Sequence, residues 1–267
     1  MIRRPAVAGQ FYPGSPEALL AFLEQAVGRG PGGEPAIGAV SPHAGYVYSG
    51  RVAGAVFRRI RVPDTVILLG PNHTGLGTDA GVYPRGAWAT PLGTVPVAED
   101  LAEALLAETP ILQADTLAHA HEHSLEVQVP FLQYRNPGVS IVPVTFMLHS
   151  YGEVREVGEA VARVVAGWPE PVLIVASSDM SHYEPDQVAR EKDRLAIERV
   201  LALDPRGLLD TTKRHGISMC GVVPTAVMLV AARGLGAAGG ELVQYATSGE
   251  VSGDYRQVVG YAGMIVR

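Results

Sequence analysis

Thr65-Val66-Ile67-Leu68-Leu69-Gly70-Pro71-Asn72-His73 is the stretch on which the fold turns. Its unbroken run of β-branched and apolar residues describes a strand buried on both faces, as in a parallel sheet, and not the alternation of a half-exposed strand. Gly70-Pro71 ends the run, and the tight loop delivers His73 to the strand's carboxyl end. The pattern recurs on either side. Residues 36–40 form a short apolar strand leading into Pro42-His43-Ala44-Gly45-Tyr46, and residues 171–177 lead into Ser178-Asp179-Met180-Ser181-His182. Open α/β sheets bind ligands in the crevice outside the carboxyl ends of their strands, so polar residues at several such ends converge on one pocket.

Helical patterns separate these strands. Ser15-Pro16-Glu17 supplies an N-cap and a proline at the first helical position, predicting a helix to about Val27. Further helices are expected over 49–60, 98–108, 152–165, 186–203 and 224–233, and over 123–134, where Pro130 requires a kink or a late start. Strands are expected over 139–146, 242–247 and 257–266, and an irregular or hairpin segment over 74–97. The alternation predicts one α/β domain spanning 1–267, a three-layer α/β/α architecture around a central, largely parallel or mixed sheet.

Composition narrows the function. With 47% of its 267 residues apolar and 18% charged, the chain builds a substantial core. A net charge of −6 without any Lys/Arg-rich run argues against nucleic acid and against an anionic membrane as partners. No apolar run nears the length of a bilayer span, and Met1-Ile2-Arg3-Arg4-Pro5 lacks the apolar stretch of a signal peptide, so a cytoplasmic protein is expected. Cys220 is the single cysteine, which leaves it a packed hydrophobe or a reactive or ligating thiol.

Neutral imidazoles and thiolates bind first-row divalent metals, and His43 and His73, each closing a strand, are the leading imidazole candidates. Asp179 and His182 share a third strand end. There Asp179 can cap the following helix or orient an imidazole, and His182 can act as acid or base. Cys220 stands just before an apolar helix whose N-terminus is expected to favour the thiolate. His119-Ala120-His121-Glu122-His123 contains the inverted zincin pattern His-x-x-Glu-His, which needs a helix already spanning His119. The following Ser124-Leu125-Glu126 suits a helix that starts later, which puts Glu122 and His123 on a loop at the pocket rim. A Cys/His hydrolase using Cys220 and His182 has no local signature here. Tyr46 is placed to line the pocket, although a tyrosine beside a loop is usually a packing residue.

Taken as a set, Ser41-Pro42-His43-Ala44-Gly45-Tyr46-Val47-Tyr48-Ser49-Gly50, Gly70-Pro71-Asn72-His73, Glu122-His123-Ser124-Leu125-Glu126, Ser177-Ser178-Asp179-Met180-Ser181-His182 and Met219-Cys220-Gly221 resemble the Memo family, called AmmeMemoRadiSam system protein B in prokaryotes. The resemblance runs through nearly the whole chain in the right order. It implies the fold of the class III extradiol ring-cleaving dioxygenases, whose iron(II) is held by two histidines and a glutamate. It also implies a metal site of His43, His73 and Cys220, the cysteine standing where those enzymes carry glutamate, with Asp179 and His182 alongside as catalytic groups. A thiolate in place of a carboxylate shifts the iron potential and also suits copper or zinc, so ring cleavage does not carry over with the fold.

The expected protein is a Memo-like metalloprotein, a non-haem iron(II) or copper oxidoreductase acting on a small molecule or a modified residue. Glu122, His123 and Tyr46 are expected at the substrate end, and the family name implies Amme-type and radical SAM proteins as partners. Two other classes stay open, a non-catalytic binding, metal-carrier or signalling adaptor protein using the same cleft, and a zinc hydrolase.

Overall fold

A computed structural model describes residues 1–30 and 32–267. The chain opens with β1 (Ile2–Arg3), α1 (Pro16–Val27), β2 (Gly38–Ser41), α2 (Tyr46–Arg59) and β3 (Thr65–Pro71). β4 (Ala80–Val82), the hairpin strands β5 (Ala87–Thr90) and β6 (Gly93–Pro96), α3 (Glu99–Glu108) and β7 (Gln113–Ala114) follow. A 3-10 turn (Glu126–Gln128) leads into α4 (Val129–Arg135), β8 (Ser140–Phe146), α5 (Tyr151–Ala166), β9 (Val172–Ser177) and β10 (His182–Glu184). The last part holds α6 (Asp186–Leu201), α7 (Pro205–His215), α8 (Val222–Gly234), β11 (Gly240–Thr247), α9 (Gly249–Ser252) and β12 (Val258–Val266).

β3 sits at the centre, as its uninterrupted burial requires, paired in parallel with β8 on one side and β9 on the other. The main sheet runs β10-β12-β2-β9-β3-β8-β4-β7, with β11 also paired to β12. β2, β9, β3 and β8 are parallel, whereas β12 joins β2 antiparallel and β4 joins β8 antiparallel, so the sheet is mixed. Two glycines show the three layers. A Cβ on Gly38 would lie 2.5 Å from Met228 Sδ of α8, and one on Gly263 would lie 2.5 Å from Val56 of α2. The register Met264 to Val40 places Gly263 opposite Ser41, on the pleat face away from Gly38, so α2 and α8 cover opposite faces. A small second sheet, β1-β5-β6, packs Trp88 into the core.

Several elements depart from the sequence reading. The helix expected from residue 123 begins only after the 3-10 turn, with Pro130 in the first turn of α4, where its missing N–H costs nothing. α2 begins at Tyr46 and not at residue 49. The long helix expected to residue 203 stops at Leu201, and α7 follows, capped by the Asp204 side chain accepting from Gly207 N–H at 2.8 Å. Among the described residues, no helix is long and apolar enough to cross a membrane.

Candidate metal centre

The parallel strands end side by side, and each contributes to one cluster. β2 delivers His43, β3 delivers His73, and the turn before α4 brings in His123. Their ring nitrogens include one from each residue lying within 4.8 Å of the others. His43 and His73 meet edge to face with centroids 5.2 Å apart, and His73 and His123 stack at 4.7 Å. His43 is buried, His123 half-buried, and His73 faces the opening.

The polar groups behind the rings fix their tautomers. Ser177 Oγ has one proton, and it donates it to the Ser124 carbonyl at 2.6 Å while accepting from Gln128 Nε2 at 2.9 Å. His43 Nδ1, 3.0 Å from the same hydroxyl, must therefore be the donor, which leaves Nε2 with its lone pair free. His73 Nδ1 lies 2.9 Å from Glu122 Oε1, an acceptor, and donates to it. His182 Nδ1 donates to the Ser218 carbonyl at 3.0 Å. A histidine whose Nδ1–H is held by carboxylate, carbonyl or hydroxyl oxygen, with Nε2 bare, is the form that ligates metals.

Glu122 is the anchor of the His73 side. Its carboxylate accepts from His73 N–H at 2.5 Å and from Ser124 N–H at 2.8 Å in addition to the ring. Burial by itself would raise this carboxyl, but the hydrogen bond and charge of His73, with the Ser124 and His73 amides, carry it down to about 2. Burial holds His43 well below the ordinary imidazole value, helped by the neighbouring histidines, and burial likewise lowers His123. His73 is raised, because Glu122 outweighs its own partial burial. Two of the three rings are thus neutral donors at physiological pH.

Cys220 Sγ lies 3.2 Å from His43 Nε2 and accepts from Asp179 N–H at 3.3 Å. Asp179 in turn accepts from His43 N–H at 2.8 Å, and burial pushes its carboxyl up to about 6. The expectation that a helix N-terminus would favour the thiolate is corrected here. Burial, followed by the charge of Asp179, drives the thiol well above its ordinary value, and Cys220 without a cation beside it is a thiol. Its position depends on Gly221, where a Cβ would stand 2.3 Å from the Ser177 carbonyl oxygen. Only glycine lets the Cys220 backbone close on the end of β9.

The other expected residues separate. His182 opens β10, three residues after Asp179, and is not part of the three-imidazole group. Tyr46 is corrected to a core residue: it is 4% exposed, its ring packs on Tyr12, Phe22 and Phe131, and its hydroxyl donates to the Val127 carbonyl at 2.7 Å. The inverted zincin alternative fails on geometry. His119 is not helical, its Nε2 lies 2.9 Å from the Gly81 carbonyl, and its ring is buried against Tyr83 and Trp88. Ser177, Ser124 and Gln128 were missed in the sequence. A glutamine in the apolar run Leu125-Glu126-Val127-Gln128-Val129 was the one visible signal, since a buried amide needs partners. A cavity of about 580 Å³ lies outside the cluster, between the start of α5, α7 and the residues flanking Cys220.

An α/β domain that gathers three imidazoles and a thiol at the carboxyl edge of its parallel strands defines a protein with a candidate mononuclear metal centre. The family profile described as Memo-like protein matches residues 3–265. MEMO1 family proteins of Methanopyrus kandleri, Aquifex aeolicus and Thermotoga maritima are 46%, 44% and 42% identical, over 100%, 99% and 100% of this chain and 99%, 98% and 100% of theirs. The chain belongs to the Memo family. A crystal structure of an uncharacterized protein from Escherichia coli K12 aligns with a TM-score of 0.48 at 15% identity, covering 77% of this chain and 87% of that one.

Proposed function

We propose that this protein is a non-haem metal-dependent oxidoreductase, using iron(II) with copper as the other redox-active choice, that acts on a small molecule or a modified residue. The observation that carries the reading is the grouping of His43, His73 and His123, with one ring nitrogen of each within 4.8 Å of the others and the Cys220 thiol 3.2 Å from His43 Nε2. The donor set fits a first-row metal, because imidazoles and a thiol able to lose its proton suit iron, copper and zinc and disfavour calcium or magnesium. His43, His73 and Cys220 would hold the ion, with His123 as the further imidazole beside it.

A bound iron ion would supply Lewis acidity and one-electron chemistry. The chain supplies the rest. Ser177 and Glu122 orient the two ligating rings. Glu122 also keeps a fixed negative charge behind His73. His182, anchored through Nδ1, presents a free Nε2 at the mouth of the site, where it can take up or return a proton. Asp179 ties the His43 backbone to the Cys220 sulfur, its carboxylate accepting from His43 N–H and its own N–H donating to Cys220 Sγ. In this reading the substrate enters from the side of His73 and His123, the partly exposed rings, and Amme-type and radical SAM proteins are the partners that would supply or consume it.

Cobalt(II) substitution tests the assignment, since a thiolate on cobalt gives an intense near-ultraviolet charge-transfer band. The wild type should show the band, Cys220→Ser should lose it, and His43→Ala should lose cobalt binding. Stoichiometric cobalt without the band, unchanged in Cys220→Ser and abolished in His123→Ala, would move the third ligand to His123. Absence of binding by cobalt, iron and copper would remove the metal reading.

A further inference from the structure

We propose that the amino-terminal segment, Arg3 to Tyr12, is a positioning element of the imidazole cluster, in which Phe11 seats the His123 ring and Arg3 clamps the loop carrying Glu122 and His123. Its functional weight rests on the metal reading above, but the geometry stands by itself.

His123 differs from its neighbours. His43 and His73 each hold an oxygen partner on Nδ1, whereas His123 Nδ1 lies 3.5 Å from Glu122 Oε1, an ion-pair distance without a hydrogen bond. Its orientation therefore falls to packing. Phe11 supplies a ring 4.7 Å from the His123 centroid, tilted by 48°, with His73 stacked at 4.7 Å and His43 edge-on at 5.5 Å.

Phe11 is itself held from several directions. Gly9 N–H donates to the Tyr12 carbonyl at 2.8 Å and Phe11 N–H to the Val7 carbonyl at 2.9 Å, which closes a tight turn around it. The Phe11 carbonyl accepts from Tyr46 N–H at 2.7 Å, tying the turn to the start of α2 directly after the His43 loop. One segment thus touches the backbone beyond His43 and the ring of His123.

Arg3 fixes the other end. Its guanidinium donates to the His119 carbonyl, the Glu122 carbonyl and Glu126 Oε2, each at 2.7 Å, and lies 4.2 Å above the Trp88 ring. Arg3 is 6% exposed and Glu126 1%. A planar five-donor group bridging two carbonyls and a carboxylate of the same loop sets that loop's shape, and lysine, a point charge, cannot span them. Glu126 then accepts from Ala6 N–H, Val7 N–H and the Tyr12 hydroxyl, so loop and segment lock reciprocally.

Histidine-ring NMR of the metal-free protein tests this, with the wild type, Phe11→Ala, Phe11→Leu, Phe11→Tyr and Arg3→Lys. The His123 ring signals should shift and broaden in Phe11→Ala, in Phe11→Leu and in Arg3→Lys, and return in Phe11→Tyr. The His119 and His182 signals should stay in place in the Phe11 variants, showing that the fold is intact. Unchanged His123 signals in Phe11→Ala and Phe11→Leu would overturn the proposal. Cobalt(II) titration of the wild type separates the two claims, because a protein that binds no cobalt refutes the metal reading while the ring signals still decide the role of the segment.

Discussion

Replacing Glu126 by glutamine removes one charge and almost no volume, from a site where the structure leaves no slack. The carboxylate is 1% exposed and accepts four hydrogen bonds, from Arg3, Ala6, Val7 and Tyr12, at 2.7, 2.7, 3.0 and 2.8 Å. A glutamine amide keeps one acceptor oxygen and turns two N–H donors toward groups that are themselves donors. At least one of the four is then left unsatisfied, at about 1–3 kcal/mol each, and the Arg3 guanidinium is buried without its counter-charge. Breaking a buried ion pair from one side costs about 3–5 kcal/mol, and for a chain of this size each kcal/mol lowers Tm by roughly 2–4 °C. Calorimetry should therefore show Glu126→Gln melting roughly 10 °C below the wild type. The double variant Arg3→Met/Glu126→Gln should lose less than the sum of the two single variants, because it buries no unpaired charge. A loss of under about 2 °C for Glu126→Gln would refute the reasoning, since it would mean that the carboxylate was not the charge holding Arg3 in place.

Three further outcomes follow from individual groups. Ser177→Ala removes the acceptor that fixes the His43 tautomer, and cobalt(II) titration should show affinity reduced by about ten- to hundredfold with the fold retained. Tyr183 is 74% exposed with φ at 59°, so Tyr183→Asn, whose side chain tolerates the left-handed region, should raise stability in urea denaturation by up to about 1 kcal/mol. His119 is lowered from 6.5 to about 4 by burial, so its contribution is complete above pH 6.5 and is lost as pH falls toward 4. That loss amounts to about 3 kcal/mol, and His119→Gln should flatten the acid limb of the stability curve, read as Tm against pH.

The parts of the fold legible in the sequence were those written in uninterrupted apolar runs or in cap residues. Thr65 to Leu69 announces a central strand because burial on both faces leaves no polar position, and Ser15-Pro16 announces α1 because both residues act within one turn. α7 was missed although Asp204-Pro205 and Gly216 mark its ends, because its apolar face is weak. Its sequence, Pro-Arg-Gly-Leu-Leu-Asp-Thr-Thr-Lys-Arg-His, buries Leu208, Thr211 and Thr212 on a narrow stripe, and its helicity depends on packing against α6 and α8. In the site, strand-end loops were readable because glycine and proline mark where the strand stops. The loop position of His123 at the pocket rim was readable from the late helix start, but its approach to within 4.8 Å of His43 and His73 was not, since that depends on how the loop folds across the strand ends. Arg3 carried no signal either, because an arginine near a chain start is ordinarily solvated and its partners lie more than a hundred residues away.

What the imidazoles can do is decided by the residues behind them. Ser177 lies at the end of β9, yet its hydroxyl orients a ring delivered by β2 while being fixed by Ser124 and Gln128 from the turn before α4. Glu122, from that same turn, orients a ring delivered by β3. Each of these two histidines is thus aimed by a residue from a different segment, and the strand ends must be in register before either Nε2 points inward. That requirement explains the close approaches at the sheet edge. A Cβ on Gly221 would collide with β9, and one on Gly70 would stand 2.6 Å from Leu125 and 2.7 Å from Ser124 Oγ, the residue whose carbonyl and N–H hold Ser177 and Glu122. The glycines at these two strand ends therefore set the geometry of the cluster. Alanine at either position would push apart the segments that set the tautomers, and the rings would remain present but misaimed.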